Sequence, residues 1–164
     1  MGVTGTGKTT MGTLLAQHTG WPFFDGDDFH PAANKAKMAA GHPLTDEDRA
    51  PWLAILHDKM VQLSAAGTSA IVACSALKSS YRDTLRAGFT PGQVQFAVLL
   101  ASPATIDARL HLRQHQFMNP ALLASQLATL QMPNEHDAWP ISVEGTREQS
   151  IADMMSRLRA AGAL

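Results

Sequence analysis

The start of the chain contains a pattern that binds phosphate groups. Gly2, Gly7, Lys8 and Thr9 have the spacing G-x-x-x-x-G-K-[ST] of a P-loop. In such a loop the glycines let the backbone curl, so that successive N–H groups point inward and hold the phosphates of a nucleotide. We therefore predict a nucleoside triphosphate site whose contacts are Gly2, Val3, Thr4, Gly5, Thr6, Gly7, Lys8, Thr9 and Thr10.

Two side chains of this loop have the chemistry that phosphoryl transfer needs. Lys8 can reach the terminal phosphates and is predicted to be catalytic, because it would stabilise charge on the transferred group. Thr9 can hold Mg²⁺ through its hydroxyl oxygen. The helix that follows would add the positive end of its dipole. The alternative is a flexible Gly- and Thr-rich segment without a ligand.

A short acidic run follows the next apolar segment of the chain. Asp25 and Asp27 alternate there, after Trp21 to Phe24. We predict that Asp25 holds Mg²⁺ through water and that Asp27 is catalytic, accepting the proton of an attacking hydroxyl. A solvated acidic turn or a helix cap is the other interpretation.

Polar donors follow the acidic run and are predicted to bind a second substrate. The candidates are His30, Asn34, Lys37 and Arg49. The P-loop already handles phosphate, so these donors would suit a polyhydroxylated or anionic molecule, and Arg49 could bind a carboxylate with two prongs. Each of them, taken singly, is more often a surface residue, and His30 is equally compatible with a turn-stabilising role.

A second set of donors follows the third apolar run of the chain. Lys78 lies just after this run and Arg82 one helical turn further on, and both are predicted to contact the second substrate. Cys74 lies in the same segment. A catalytic role is not expected for it, since buried cysteines behave as small hydrophobic residues.

Two arginines further along could close over the nucleotide. Arg109 and Arg113 are four residues apart and therefore lie on one face of a helix. On a closing lid they would bind ATP phosphates, and Arg113 is also predicted to be catalytic by neutralising charge on the transferred group. A solvated helix face is the alternative for both.

Short apolar runs alternate with amphipathic stretches, which predicts an α/β fold with a parallel sheet flanked by helices. The strands at 69–74 and 94–100 are expected to be buried on both faces. The helix around Trp52 is expected to begin with Asp48 as its cap and Pro51 in its first turn. The other expected elements are helices at 8–18, 102–113, 119–130 and 148–158 and strands at 21–24 and 141–143.

Composition narrows the classes of function. The 164 residues fit one domain, with a net charge of −1 and a pI near 6.6. Basic residues are neither abundant nor clustered, so neither nucleic acid nor a membrane is an expected partner. The single cysteine fits a reducing cytoplasm, and no apolar run is long enough to cross a bilayer.

The position of the P-loop leads to one further expectation. A P-loop joins a buried strand to a helix, and only Met1 precedes this one. Either the chain as given starts late or the fold lacks that first, central strand, and we favour the late start. The reading frame upstream is then expected to encode a run of apolar, β-branched residues.

Several blocks of the chain, taken in order, resemble gluconokinases of the small P-loop type related to shikimate kinase. Besides the P-loop, they are 25–31, 34–38, 41–44, 46–52, 74–83, 125–126 and 129–130. The resemblance implies ATP- and Mg²⁺-dependent phosphorylation of D-gluconate to 6-phospho-D-gluconate, and it implies a homodimer in many such kinases. It also implies a single domain over 1–164, with a substrate-binding segment near 28–66 and a lid near 109–130.

Two alternatives remain beside this resemblance. One is a kinase for another small polyol or cyclic acid such as shikimate, and the other is a nucleotide-binding module without catalysis. At Gln131 and Met132 the chain departs from the family, which often has an acidic residue before the following proline. No role is therefore carried onto these two positions.

Overall fold

The computed structural model describes residues 1–112 and 120–164 of the chain. Helices and parallel strands alternate along it, as the apolar pattern predicts. The helices are α1 (Lys8–Thr19), α2 (Ala32–Ala39), α3 (Asp46–Ala65), α4 (Ser79–Arg86), α5 (Pro103–His111), α6 (Pro120–Thr129) and α7 (Arg147–Ala160). The strands are β1 (Phe23–Asp25), β2 (Ile71–Ala73), β3 (Phe96–Leu100) and β4 (Ala138–Ser142), and a 3-10 helix (Gly26–Phe29) follows β1.

Local signals set the ends of most helices. Gly20 adopts φ 74° after α1, and Ser102 accepts a hydrogen bond from the Thr105 N–H before α5, both as the sequence predicts. The predicted start of α3 is wrong. Thr45 is the cap, and it forms a reciprocal capping box with Asp48, so the helix begins at Asp46 and Pro51 lies in its second turn.

The strands form two parallel pairs. Residues 23–25 of β1 lie opposite residues 71–73 of β2, and residues 96–100 of β3 lie opposite residues 138–142 of β4. A cavity of about 510 Å³ separates β2 from β3. Ile71, Val72, Phe96 and Ala97 are consequently only partly buried, so the expectation that these strands are covered on both faces is wrong.

Two apolar clusters hold the helices on the strands. One is centred on Trp52, Leu56 and Leu77, each 1% exposed, and it packs α3 and α4 beneath the loop that follows β2. The other joins Met11 of α1 and Ile151 of α7 to Ile141 of β4. The first cluster includes Cys74 and Ala76, which directly follow the carboxyl end of β2, so this cluster also supports the loop that leads to Lys78.

The structure adds two helices that the sequence pattern did not reveal. Helix α2 carries Asn34 and Lys37, and α4 carries Arg82. Part of the predicted lid, including Arg113, lies outside the described residues. No helix within 1–112 and 120–164 is both long enough and apolar enough to cross a membrane.

Candidate active site

The P-loop has the backbone conformation that its glycines allow. Gly5 and Gly7 have φ values of 81° and 90°, in the region that favours glycine. A Cβ on Gly5 would lie 2.8 Å from Cγ2 of Ile106, so α5 packs directly against the loop. The loop is closed internally by the Thr6 hydroxyl, which donates to the Val3 carbonyl at 2.8 Å.

Lys8 lies over its own loop. Its Nζ donates to the Val3 carbonyl at 3.1 Å, which places the positive charge at the mouth of the backbone cradle. Desolvation raises the pKa of Asp27, and the positive charge of Lys8 opposes that rise.

Thr9 and Asp25 are brought together as the sequence predicts. The Thr9 hydroxyl donates to Asp25 Oδ2 at 2.6 Å, and Asp25 Oδ1 accepts from the Asp27 N–H at 3.1 Å. A hydroxyl and a carboxylate side by side, beside a phosphate cradle, are the oxygen ligands that Mg²⁺ prefers. The chemistry of these two side chains fits the ion, and they are the residues that would hold it.

Asp27 differs from Asp25 in its environment and in its pKa. Its side chain is 75% exposed. Desolvation of the carboxylate nevertheless raises the pKa of Asp27 above its ordinary value; Lys8 opposes this shift, and the nearby charges of Asp25 and Asp28 add to it. A raised pKa brings a carboxylate closer to the value at which it can accept a proton efficiently near neutral pH.

His30 is 8% exposed and held as a neutral ring. It stacks on Trp52 with ring centroids 4.2 Å apart, and its Nδ1 lies 3.4 Å from Asn34 Nδ2. Burial, together with the charges of Lys35 and Arg49, lowers the pKa of His30 to about 4. The opposite ring nitrogen lies 3.9 Å from Asp27, which connects His30 to the candidate base.

Asn34 and Lys37 join α2 to the first turn of α3. Asn34 is buried and donates to the Asp48 carbonyl at 2.7 Å, and Lys37 Nζ lies 2.5 Å from Asp48 Oδ2. The Lys37 contact and the Thr45 N–H lower the pKa of Asp48 to about 2. These contacts favour a structural role for the pair over the predicted contact with a second substrate.

Arg49 and Lys78 converge on a carboxylate that the sequence reasoning missed. Lys78 Nζ lies 2.6 Å from Asp46 Oδ2, and Arg49 lies 3.7 Å from Asp46 Oδ1. Tyr81 donates to the same Asp46 oxygen and accepts from Arg49 at 3.2 Å. Lys78 and then Tyr81 lower the pKa of Asp46. The i,i+3 spacing of Asp46 with Arg49, and of Lys78 with Tyr81, was the available signal.

Arg82 does not line the open crevice. It is 3% exposed, and its Nη1 donates to the carbonyls of Ala76 and Leu77 at 3.1 and 3.3 Å. Ala76 has a φ of 43°, so Arg82 holds a strained turn directly before Lys78. This geometry favours a positioning role for Arg82 over the predicted direct contact.

Arg109 reaches the P-loop from α5. Its Nη1 donates to the Thr6 carbonyl at 3.3 Å and its Nη2 to the Val143 carbonyl at 2.5 Å. It therefore lies beside the nucleotide loop, as predicted. Arg113, its predicted partner, lies outside the described residues.

Two glutamines connect the α6 region to the rest of the site, and neither was predicted to have a role. Gln126 accepts from the Thr4 N–H at 2.7 Å. Gln131 accepts from the Ser79 N–H at 2.8 Å, while its own N–H donates to the Leu77 carbonyl. Such long-range partners have no signature in local spacing.

The phosphate cradle, the Thr9–Asp25 pair and the parallel α/β frame define a class of protein, the P-loop kinases. Comparison with known families narrows the class, because the profile described as shikimate kinase matches residues 4–157. The chain belongs to the shikimate kinase family.

Within that family the similarity is to gluconokinases. The gluconokinase of Gluconobacter oxydans (strain 621H) is 47% identical over 151 residues, which are 92% of this chain and 83% of that protein. The thermosensitive gluconokinase of Escherichia coli (strain K12) is 42% identical over 98% of this chain and 84% of its own length. The crystal structure of a gluconokinase from Sinorhizobium meliloti 1021 superposes with a TM-score of 0.82 at 38% identity, covering 97% and 93% of the two chains.

Proposed function

We propose that this kinase transfers the terminal phosphoryl group of ATP to D-gluconate and forms 6-phospho-D-gluconate. The observation that carries the proposal is a series of polar residues between the P-loop and a cationic cluster, which we call the polar path. Lys8 acts on Asp27, Asp27 lies 3.9 Å from His30, and the charge of Arg49 lowers the pKa of His30. The similarity to gluconokinases over most of the chain supports the same acceptor.

The nucleotide end of this path would bind ATP and Mg²⁺. The backbone of residues 2–7 holds the phosphates, with Lys8 neutralising the terminal group. Thr9 and Asp25 would hold Mg²⁺, since the Thr9 hydroxyl oxygen lies 2.6 Å from Asp25 Oδ2. The bound ion would supply positive charge at the phosphates. Arg109 borders the cradle, and Arg113 is its proposed partner on the lid.

Asp27 would act on the acceptor hydroxyl. Its pKa is raised by desolvation, and Lys8 keeps a positive charge within electrostatic reach of it. A carboxylate placed in this way can orient the hydroxyl and take its proton as the bond to phosphorus forms.

The far end of the path would bind the acid group of the acceptor. Arg49 and Lys78 both point at the Asp46 carboxylate, whose side chain is 53% exposed. Two cations against one carboxylate leave a net positive charge in this cluster, which would attract the carboxylate of the acceptor. Arg82 keeps the turn before Lys78 in shape, and His30 lines the path between the two ends.

An ADP-release assay with purified protein tests the proposal. ATP and Mg²⁺ are combined with gluconate, with shikimate or with no acceptor. We expect gluconate alone to stimulate ADP release well above the acceptor-free rate. Stimulation by shikimate in place of gluconate would reassign the acceptor, and equal rates in all three mixtures would indicate a binding module without acceptor kinase activity. We further propose that the enzyme acts in the cytoplasm. We also propose that it forms homodimers, and sedimentation analysis can measure this oligomeric state.

A further inference from the structure

The fold holds the His30 ring in one orientation. The ring stacks on Trp52 with its plane 15° from that of the indole, and its side chain is only 5% exposed. The His30 N–H donates to the Asp27 carbonyl at 3.4 Å, so both side chains leave the same tight turn. A buried, stacked ring does not turn freely. Each ring nitrogen therefore keeps the neighbour that the fold gives it.

Asn34 determines which ring nitrogen of His30 carries the hydrogen. Its side-chain nitrogen Nδ2 donates to the Asp48 carbonyl oxygen at 2.7 Å. Because a carbonyl oxygen can only accept, this contact identifies the atom as the amide nitrogen rather than the amide oxygen. The same nitrogen lies 3.4 Å from His30 Nδ1, and an amide nitrogen can only donate. His30 Nδ1 is therefore the acceptor and carries no hydrogen.

The hydrogen of the neutral ring then lies on Nε2. Burial, with the charges of Lys35 and Arg49 adding to it, lowers the pKa of His30 to about 4, so the ring is neutral near neutral pH. A neutral imidazole has one N–H, and since Nδ1 accepts, Nε2 must donate. Nε2 lies 3.9 Å from Asp27 Oδ1, which is beyond the reach of a direct hydrogen bond. A donor and a carboxylate oxygen are thus separated by a gap.

This gap has the dimensions and the chemistry for one hydroxyl group. An O–H···O bond of about 2.7 Å and an N–H···O bond of about 2.9 Å that meet at one oxygen at an angle of about 90° span the 3.9 Å. A hydroxyl can donate and accept, so it satisfies Asp27 and His30 at once. A carboxylate, a ketone or an ether has no hydrogen to donate to Asp27. The pair therefore selects an alcohol.

Given the phosphorylation of gluconate proposed for this kinase, we propose that Asn34 holds the hydrogen of His30 on Nε2 and that this N–H and Asp27 Oδ1 together bind the reacting hydroxyl of the polyol. The hydroxyl donates its hydrogen to Asp27 and accepts from His30. Its proton passes to Asp27 as its oxygen takes the phosphoryl group from ATP and ADP leaves. His30 is then a contact of the acceptor, and Asn34 is a positioning residue that acts through His30.

Nitrogen NMR of the histidine rings tests the role of Asn34. A ring nitrogen that carries a hydrogen is well separated in shift from one that does not, and the His30 signals among the seven histidines are those that disappear in His30→Phe. We expect Nε2 to be protonated and Nδ1 unprotonated in the parent. In Asn34→Asp the new carboxylate can only accept, so Nδ1 should gain a hydrogen. Asn134→Asp is the matched control, because it makes the same change in the turn before β4 and should leave the His30 signals as in the parent.

Two variants of His30 test the contact with the hydroxyl. His30→Phe keeps an aromatic ring against Trp52 but has no donor, whereas His30→Gln loses the stack and keeps an N–H at the end of its side chain. We expect kcat for gluconate to fall about 10- to 100-fold in His30→Phe, with KM for ATP little changed, and most of this loss to be recovered in His30→Gln. A residue needed only for packing would give the opposite order.

The results that would overturn the proposal are specific to each half of it. A hydrogen on Nδ1 in the parent, or an unprotonated Nδ1 in Asn34→Asp, would overturn the role of Asn34. Near-normal kcat in His30→Phe, or an equal loss in His30→Gln, would overturn the contact with the hydroxyl. A parent that does not phosphorylate gluconate would instead remove the proposed function, while the ring spectra would still decide which nitrogen carries the hydrogen.

Discussion

At the scale of single residues, the two carboxylates that follow β1 are held in different ways. Asp25 accepts hydrogen bonds through both oxygens, from Thr9 and from the Asp27 N–H. The Asp27 side chain is 75% exposed, and its pKa is raised by desolvation. The geometry therefore favours metal binding by the first and proton transfer by the second, the division that the sequence predicts.

The Asp27→Asn variant separates these roles. Because the amide cannot accept a proton, we expect kcat for gluconate to fall by roughly 10²- to 10⁴-fold while the affinity for ATP changes little. Asp28→Asn is the matched control, since that carboxylate is the exposed neighbour. Steady-state kinetics with nucleotide titrations measure both; an Asp27→Asn enzyme with near-normal kcat would remove Asp27 from the chemistry.

Arg49 offers a second residue-scale test. It is 9% exposed and bonds Tyr81, with Asp46 3.7 Å away. We expect Arg49→Lys to raise KM for gluconate about 10-fold or more, because a point charge does not reproduce a planar, two-pronged contact. The KM for ATP should change much less.

Arg86→Lys is the control for Arg49→Lys. Arg86 lies on α4 and pairs with Asp83 and Asp137, outside the path from the P-loop to Asp46. The Arg86→Lys variant should have KM values for gluconate and for ATP near those of the parent. Equal increases for gluconate and ATP in Arg49→Lys would indicate general damage to the fold.

At the scale of secondary-structure elements, the stack of His30 on Trp52 joins the 3-10 helix to α3. The Trp52 indole also donates to the Gly26 carbonyl at 2.7 Å, so the element that carries Asp27 is anchored from below. The ordinary pKa of histidine is 6.5 and that of buried His30 is about 4. The folded protein therefore binds fewer protons than the unfolded chain between these two pH values.

This difference predicts a loss of stability on acidification. A lowered histidine pKa means that stability is fully present above pH 6.5 and falls as the pH drops toward 4, by about 3 kcal/mol at most. His30→Phe, which keeps an aromatic stack, should flatten the dependence of the unfolding free energy on pH in this window. Urea unfolding at several pH values measures it, with the exposed His42→Phe as control. An unchanged slope in His30→Phe would contradict the prediction.

The elements also show what sequence could and could not predict. Local motifs predict the P-loop and the Ser102 cap of α5. The rule that the carboxyl ends of parallel strands share one edge of the sheet predicts that Asp25 lies beside the P-loop residue Thr9. Helix α2 was missed because its polar residues contact α3 rather than follow an apolar period. The role of Arg82 in the turn depends on hydrogen bonds to the carbonyls of Ala76 and Leu77, and the spacing of these residues does not encode them.

At the scale of the whole molecule, the α6 region touches both halves of the site. Gln126 accepts from the Thr4 N–H of the P-loop, and Gln131 bonds Ser79 and Leu77 beside the acceptor cluster. An N–H of a P-loop is a donor that a phosphate oxygen can use. The Gln126 amide oxygen therefore lies where it competes with bound nucleotide.

The variant Gln126→Leu should release this competition. Since one neutral hydrogen bond is worth about 0.5–1.5 kcal/mol, we expect ATP to bind roughly 2- to 10-fold more tightly, with KM for gluconate little changed. Gln131→Leu should do the opposite, raising KM for gluconate and sparing ATP, because its partners precede and begin α4. Calorimetric titration with ATP and steady-state kinetics with gluconate give both values. Weaker ATP binding in Gln126→Leu would mean that the glutamine supports the bound nucleotide. The prediction that its amide oxygen competes with phosphate would then be wrong.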